Sequence, residues 1–235
     1  MRGIERISLF KLLAKVFTGG KEKMKKIVFI TVSDDPEKYK SLTGGLIEKT
    51  REIYKNELQI ESFLIKNENN VQWQSMSKAY NYAIKQFEND LPDLFIFLHD
   101  DIGSPEDNPW GDFLKYALDM EYGVAGIVAR HQGKMVWAKD IRFPLSVQTL
   151  DECFLAIRPD IFYPYFDERF NHWHQYGADI CLEALSRGLK NYIFPCKLEH
   201  RGGKLGIHID GDNFRREWVK LCEKWKDKFP QIERT

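Results

Sequence analysis

The residues best suited to chemistry are one histidine and two acids that follow an apolar run. Phe95–Leu98 leads directly into His99, Asp100 and Asp101, and a short run rich in Phe and Ile is typical of a buried strand. Open α/β sheets bind their ligands at the carboxyl ends of such strands. Adjacent carboxylates repel each other unless a cation lies near, so the pattern predicts a divalent cation with a nucleotide diphosphate. Two solvated acids at a strand end are the alternative.

A further acid opens a helix later in the chain. Asp179 lies in the first turn of a helix predicted over residues 176–189. A carboxylate there favours the helix dipole, and it is also a candidate general base that takes a proton from an attacking hydroxyl. Trp173 and His174 precede it, and aromatic surface suits the apolar faces of sugar rings. The segment is therefore interpreted as a catalytic and acceptor-binding region.

Two acids and a histidine occupy predicted loops. Asp34 and Asp35 follow the first predicted strand, where they either face the base and ribose of a nucleotide or cap a helix. His200 precedes a Gly-rich loop, and Arg201 beside it adds a positive charge suited to phosphate. His200 is interpreted as an additional metal ligand or a diphosphate contact.

The elements that would position these residues alternate between strand and helix. Apolar and β-branched runs predict strands over 26–33, 57–66, 93–99 and 123–129. Apolar residues at helical spacing predict helices over 37–56, 74–88 and 110–120. Gly44 and Gly45 weaken the middle of the first of these helices. The order favours an α/β fold with a mostly parallel central sheet and helices on both faces.

The second half of the chain departs from that alternation. Residues 134–138 and 146–157 are predicted to be extended, 159–173 irregular, and 190–196 a last strand. A strong helical stripe near the end is interpreted as core packing rather than a binding face. Its members are Phe214, Trp218, Leu221, Cys222, Trp225 and Phe229.

Length and composition set the class of protein. The chain has 235 residues, of which 43% are hydrophobic, and residues 25–235 are predicted to form one domain. Its nucleotide-binding half covers about 25–130 and its acceptor half about 131–235. The formal net charge is zero, which gives no argument for a nucleic-acid partner. The four cysteines lack CxxC spacing and are interpreted as free buried thiols in a reducing cytoplasm.

Residues 1–24 form a basic extension. Residues 1–26 carry eight Lys and Arg against two Glu, with apolar residues at near-helical spacing. One interpretation is an amphipathic helix that gives peripheral membrane contact at the inner face of the membrane. The other is that Met24 is the natural start. No apolar stretch reaches the roughly 18 to 20 residues that span a bilayer, and no signal-peptide pattern is recognised.

Together these motifs resemble family-2-like glycosyltransferases of the GT-A fold, and more closely the short bacterial branch grouped with a streptomycin-biosynthesis protein. His200 falls where many members carry a C-terminal histidine. Four segments in the family's order carry the resemblance: the helix before the acidic motif (Ser77–Ile84), the DxD segment (Phe97–Ile102), an acceptor-side segment (Leu150–Arg158) and the region of the catalytic base (Phe166–Gly188).

The resemblance implies the nucleotide-diphospho-sugar transferase fold and a metal-dependent, inverting transfer. The donor would be a nucleotide-diphosphate sugar, and the acceptor a glycan or lipid-linked glycan of a bacterial surface polymer. Asp101 and His200 would bind Mg²⁺ or Mn²⁺, and Asp179 would be the base. Trp173 and His174 would contact the acceptor. The nucleotide-sugar donor would be bound by four residues: Asp34, Asn81, Asp100 and Arg201.

Two departures from the family pattern motivate a rival function. His99 stands where the wider family has Asp, and Ala178 stands where it often has Glu before the catalytic Asp. A GT-A-shaped binding module without transferase activity is therefore one alternative. A nucleotidyltransferase is a second, which the sequence disfavours because no Gly-rich, basic phosphate loop follows the first predicted strand.

Overall fold

The computed structural model describes residues 23–67, 73, 75–201 and 211–233. The basic extension over residues 1–24 lies almost entirely outside the described residues, and both of its interpretations stay predictions. Among the described residues, no helix is both long and apolar enough to cross a bilayer.

The first half of the described chain alternates strands and helices, as predicted. Its strands are β1 (Lys25–Ser33), β2 (Leu58–Lys66), β3 (Leu94–His99), β4 (Ile102–Gly103) and β5 (Ala125–Gly126). Its helices are α1 (Pro36–Tyr39), α2 (Gly45–Ile53), α3 (Met76–Lys85) and α4 (Phe113–Asp119). A π-helical turn, Lys40–Gly44, interrupts the helix predicted over 37–56, at the glycine pair that weakens regular helix.

The second half adds shorter strands and two longer helices. The strands are β6 (Val128–His131), β7 (Lys134–Trp137), β8 (Leu145–Val147), β9 (Phe154–Ile157), β10 (Asn191–Ile193) and β11 (Glu199–His200). The helices are α5 (Tyr176–Ser186) and α6 (Gly211–Trp225), and a 3₁₀ turn covers Ala138–Asp140.

Seven strands form the central sheet in the order β2-β1-β3-β9-β5-β10-β8. Strands β2 and β3 are parallel to β1, whereas β9 is antiparallel to both β3 and β5. Strand β10 is parallel to β5 and antiparallel to β8. Five of the seven strands therefore run in one direction, which confirms the predicted α/β fold with a mostly parallel sheet.

Two segments that were predicted to be continuous each divide into two strands. The run over 123–129 leaves the central sheet after Gly126, and β6 pairs with β7 through Gln132 and Gly133, whose φ angles are 50° and 78°. Positive φ at both turn residues is the type I′ geometry that matches strand twist. The extended segment over 146–157 divides into the edge strand β8 and the wholly buried central strand β9.

The register of β1 and β3 brings their carboxyl ends to the same level. Val32 pairs with His99, so Ser33 and Asp100 both lie just beyond the paired region. An aromatic cluster packs in the core beneath this end, with ring centroids 4.9 to 5.9 Å apart. Its members are Tyr80, Phe97, Phe166 and Tyr176. The sheet edge that carries the acids therefore rests on densely packed aromatic rings.

Helix α6 packs through the predicted stripe. Leu221 and Trp225 are buried in a small apolar cluster, and Trp218 and Phe229 pack against it, which confirms the interpretation of these residues as core. All four cysteines are free thiols, three buried and Cys222 partly buried, as predicted.

Replacing Gly123 with Ala is expected to destabilise the fold by about 2 kcal/mol, because overpacking a filled site typically costs about 1 to 3 kcal/mol. A Cβ at Gly123 would lie 2.3 Å from the Ala184 Cβ and 3.0 Å from Asn191 Oδ1. Urea unfolding measures the change. Gly45→Ala is the matched control, since its Cβ meets nothing closer than 3.7 Å in a helix and is expected to stabilise by about 0.5 to 1 kcal/mol. Equal unfolding free energies for the two variants would contradict the packing argument.

Candidate metal centre

The acidic motif lies at the tight connection between two short strands. His99 ends β3, Asp100 and Asp101 form the turn that follows, and Ile102 begins β4. Strand β11 is antiparallel to β4, with His200 paired to Ile102. His200, which the sequence placed in a loop, is thus held in a strand beside Asp101. The backbone N–H of Arg201 donates to the Asp101 carbonyl at 2.8 Å.

Three side chains converge on a common point at this sheet end. One ligand atom each from His99, Asp101 and His200 lies within 4.8 Å of the others. Nε2 of His200 is 2.9 Å from Oδ1 of Asp101, and the two imidazole centroids are 5.6 Å apart. That Asp101 oxygen is buried and has no aligned hydrogen-bond donor among the described residues. A carboxylate oxygen of this kind between two imidazoles fits a divalent cation. We call these three residues the metal triad.

Asp100 is held differently from its neighbour. Ser33 Oγ donates to Asp100 Oδ2 at 2.7 Å, and Lys38 Nζ is 2.9 Å from Asp100 Oδ1 and 3.3 Å from Asp101 Oδ2. Both oxygens of Asp100 therefore have protein partners. The structure separates the two acids, with Asp101 facing the histidines and Asp100 tied to the end of β1 and to α1.

The charges of the site set its protonation. Burial works to raise the pKa of Asp101, but the contact with His200 and the positive charges of His200 and Lys38 lower it to about 2. Burial lowers the pKa of His99, and the charge of His200 lowers it further. Burial also works to lower the pKa of His200, but the contact with Asp101 raises it. Asp101 is therefore ionised and His99 neutral at neutral pH.

The π-helical turn fixes the backbone of the acidic motif. The Thr43 hydroxyl is wholly buried and lies 2.8 Å from the His99 carbonyl and 3.1 Å from the Ile102 carbonyl. It also accepts from the Ile102 N–H at 3.2 Å. One side chain thus spans both ends of the turn that holds Asp100 and Asp101. The helical irregularity near Gly44 therefore contributes to the geometry of the site.

Tyr176, the first residue of α5, orients His99. The Tyr176 hydroxyl donates to the Glu152 carbonyl at 3.2 Å, so its oxygen accepts from His99 Nε2, also at 3.2 Å. The contact with Tyr176 fixes the orientation of the His99 ring. A second hydrogen bond that fixes the tautomer is usual for histidines that bind metals.

The Glu152 side chain packs under the start of α5. Its Oε1 accepts from the N–H of Gln175, a residue in the left-handed conformation at φ 65°. A Cβ at Gly177 would lie 2.8 Å from the Glu152 Cγ. Burial, with the charge of Asp151, raises the pKa of Glu152 to about 8. Folding therefore binds a proton at Glu152 near neutral pH.

The wild-type protein is expected to lose stability as the pH rises from 4.5 to 8, and Glu152→Gln is expected to abolish that loss. The ordinary pKa of this carboxyl is 4.5 and the folded value is about 8. The folded state therefore holds more protons than the unfolded state in that window, and stability decreases as pH rises. Melting curves at pH 5 and 8.5 should show the wild type losing stability relative to Glu152→Gln. The exposed Glu52→Gln serves as control, and a wild-type pH slope that Glu152→Gln retains would contradict the assignment.

Asp179 lies one turn into α5 and faces α6. Trp225 Nε1 donates to Asp179 Oδ1 at 2.7 Å, and Lys224 Nζ donates to Oδ2 at 2.8 Å. Lys224 also donates to Asp167 Oδ2 at 2.8 Å. Asp179 is 3% exposed, and burial raises its pKa although Lys224 and Trp225 favour the charged form. None of the contacts found in the described part of the chain joins Asp179 to the metal triad.

Asn81, which the resemblance assigns to donor binding, is held by hydrogen bonds within the protein. It is 4% exposed. Its amide donates to the Phe166 carbonyl at 2.8 Å and to Glu168 Oε1 at 3.1 Å, and its oxygen accepts from the Phe166 N–H at 2.9 Å. Every polar group of the side chain is thus engaged within the protein, so Asn81 fixes the 166–168 segment.

The remaining predicted residues lie in loops beside the strands and helices. Asp34 is exposed after β1, and its neighbour Asp35 caps α1 by accepting from the N–H groups of Glu37 and Lys38. Arg201 is exposed after β11. Trp173 and His174 are half-buried just before α5, and the His174 ring lies 5.3 Å from that of Phe214.

The sequence singled out His99 together with the two acids but gave it no role as a metal ligand, although its position at the end of a buried strand beside an acid was a usable signal. Sequence reasoning also missed two residues that contact the triad or its acids. Lys38 and Tyr176 gave no signal of their own, because their contacts with Asp100, Asp101 and His99 join segments far apart in the chain.

The chain has the GT-A fold, the α/β fold of nucleotide-diphospho-sugar transferases. It is similar to GalNAc-T7, solved with UDP, GalNAc and Mn²⁺, with a TM-score of 0.55 and 14% identity over 89% of this chain and 50% of that one. It is also similar to a mannosyltransferase from Pyrobaculum calidifontis in complex with GDP-Man and Mn²⁺, with a TM-score of 0.54 and 11% identity over 94% and 71%. At such identities the likeness shows the fold alone.

Sequence comparison adds a partial match. No protein-family model matches the chain. A curated protein from Fuscovulum blasticum, described as "ATP synthase subunits region ORF 6", is 35% identical over 89 residues, which are 37% of this chain and 33% of that protein. The chain thus spans half the length of GalNAc-T7 and matches a third of this relative.

Proposed function

We propose that the protein is a metal-dependent glycosyltransferase that uses a nucleotide-diphosphate sugar. The observation that carries the proposal is the metal triad of His99, Asp101 and His200, which lies at the carboxyl end of β3 in a GT-A fold. Ligands of open α/β sheets bind at this end.

The triad residues would hold a divalent cation. Asp101 supplies an ionised oxygen, His99 a neutral imidazole, and His200 a second imidazole that lies 2.9 Å from the carboxylate. Two imidazoles with one carboxylate suit a first-row transition metal better than Mg²⁺, which prefers oxygen ligands. We therefore favour Mn²⁺ over Mg²⁺. Such a cation, when bound, neutralises the charge that develops on a departing diphosphate.

We assign the acceptor to the surface before α5. Trp173 and His174 lie there half-buried, and an aromatic ring beside a hydrogen-bonding one suits the face and edge of a sugar. Asp179 is proposed as the group that removes the proton from the acceptor hydroxyl, in an inverting transfer, and its raised pKa supports that role. The resemblance of four segments to the short bacterial branch supports a glycan or lipid-linked glycan of a bacterial surface polymer as the proposed acceptor.

A thermal-shift panel tests the proposal. UDP, GDP, ADP and CDP are each added with Mn²⁺, with Mg²⁺ and without metal, and one nucleotide is expected to raise the melting temperature only when Mn²⁺ is present. No metal-dependent shift with any nucleotide would overturn the proposed function. A shift with no transfer or hydrolysis of the matching nucleotide sugar would instead favour the binding module.

A further inference from the structure

Lys38 occupies the space between the two acids of the candidate site. Its Nζ lies 2.9 Å from Asp100 Oδ1 and 3.3 Å from Asp101 Oδ2. The lysine side chain is 34% exposed, whereas those of Asp100 and Asp101 are 10% and 7% exposed. A single ammonium thus contacts two nearly buried carboxylates and offsets part of their negative charge.

The backbone of Lys38 is held in place, whereas its side chain can change conformation. Asp35 Oδ1 accepts from the Lys38 N–H at 3.0 Å, and Ser33 Oγ connects the same turn to Asp100 at 2.7 Å. Lys38 is therefore fixed beside the acids by a helix cap. Four rotatable methylenes allow its ammonium to leave the carboxylates without moving α1.

A divalent cation on the metal triad competes with this ammonium. Asp101 presents Oδ1 to His200 and Oδ2 to Lys38, so a cation bound to Asp101 would face the Lys38 charge at short range. Like charges so close repel strongly. Repulsion from the cation weakens the Lys38 contact with Asp101 and leaves Asp100 Oδ1, at 2.9 Å, as the protein partner of the ammonium. A diphosphate that accompanies the cation then offers the ammonium a second anion in place of Asp101.

We propose that Lys38 is a donor-binding residue that offsets the charge of Asp100 and Asp101 until a divalent cation binds Asp101, and that it then pairs with the donor diphosphate. The inference rests on the proposed function. It gives the Lys38 side chain opposite effects on the binding of the metal and of the nucleotide. Lys38 opposes binding of the metal alone and favours binding of the nucleotide to the metal-loaded protein.

The test measures the two affinities separately in the full chain. Mn²⁺ binding is followed by electron paramagnetic resonance of the free ion, and binding of UDP, GDP and pyrophosphate is followed by calorimetry at saturating Mn²⁺. Lys38→Met is expected to bind Mn²⁺ about tenfold more tightly than the wild type and the diphosphate about tenfold more weakly. Lys38→Arg, which keeps the charge, should stay within about threefold of the wild type for Mn²⁺.

Lys49→Met is the matched control, because Lys49 lies on α2 and its Nζ contacts the Glu106 carbonyl and Asp107 rather than Asp100 or Asp101. It should leave Mn²⁺ affinity unchanged. An unchanged Mn²⁺ affinity or an unchanged diphosphate affinity in Lys38→Met would overturn this inference and leave the proposed function standing. A wild-type protein that binds neither Mn²⁺ nor any of the three diphosphates would overturn both.

Discussion

Asp101→Asn is expected to weaken Mn²⁺ binding by about 100-fold or more and to abolish metal-dependent stabilisation by the donor nucleotide. Loss of a residue that only orients a metal ligand costs about 10- to 100-fold in affinity, and loss of the ligand itself costs at least as much. The amide keeps the size of the side chain but lacks the charge of a group whose pKa is held at about 2. Calorimetry with Mn²⁺, followed by nucleotide at fixed metal, measures both effects.

Asp107→Asn is the matched control for Asp101. Asp107 lies in the same connection after β4, but its side chain is fully exposed and only approaches Lys49, at 3.4 Å. We expect this variant to bind Mn²⁺ as the wild type does, with a similar melting temperature. If Asp101→Asn bound metal and nucleotide normally, the metal triad would have no part in donor binding.

Asp179→Asn is expected to lower the rate of sugar transfer by about 100-fold or more while donor binding stays within about threefold of the wild type. General base catalysis typically contributes about 10² to 10⁴ in rate, and an amide accepts no proton. The fold should survive, because Asn still accepts from Trp225 and Lys224 still pairs with Asp167 at 2.8 Å. The measurement is the transfer rate at saturating donor, together with the donor dissociation constant.

Glu183→Gln provides the control for this variant. Glu183 is on the same helix and pairs with Arg187 at the surface, so its amide variant should retain transfer. If Asp179→Asn retained sugar transfer, the role of Asp179 would be only to hold α5 against α6. A parallel fall in melting temperature and transfer would point to the same structural role, and Lys224→Met would then show a similar loss of stability.

The strands that carry the site were predictable because they are wholly buried. Leu94–Leu98 is wholly apolar and Ile27–Val32 is apolar except for Thr31, with no polar alternation, as expected for central parallel strands. The position of β9 between β3 and β5 was not predictable from local pattern, because sheet order depends on contacts between distant segments. The divided run over 123–129 was missed for a similar reason, since Val128–His131 belongs to a separate hairpin.

The candidate site was predictable where one segment carries several chemical groups. Asp100, Asp101 and His200 stood out by type and by neighbours, whereas the interior position of Asn81 was not visible from its sequence context. Lys38 reaches the acids across the end of β1, and its role depends on the cap that Asp35 forms. Such contacts come from the register of β1 against β3, which fixes the level of both strand ends.

The two-residue strand β11 gives the site a particular place in the order of folding. Asp101 and His200 are joined through β4 and β11, and residues 102–199 separate them along the chain. Closing so long a loop carries a large entropic cost for a small gain in backbone pairing. The triad should therefore be completed late, after the central sheet has formed. A cation bound there would act as a cross-link between the two halves of the chain, and its removal would loosen β11 before it affects β1 or β3.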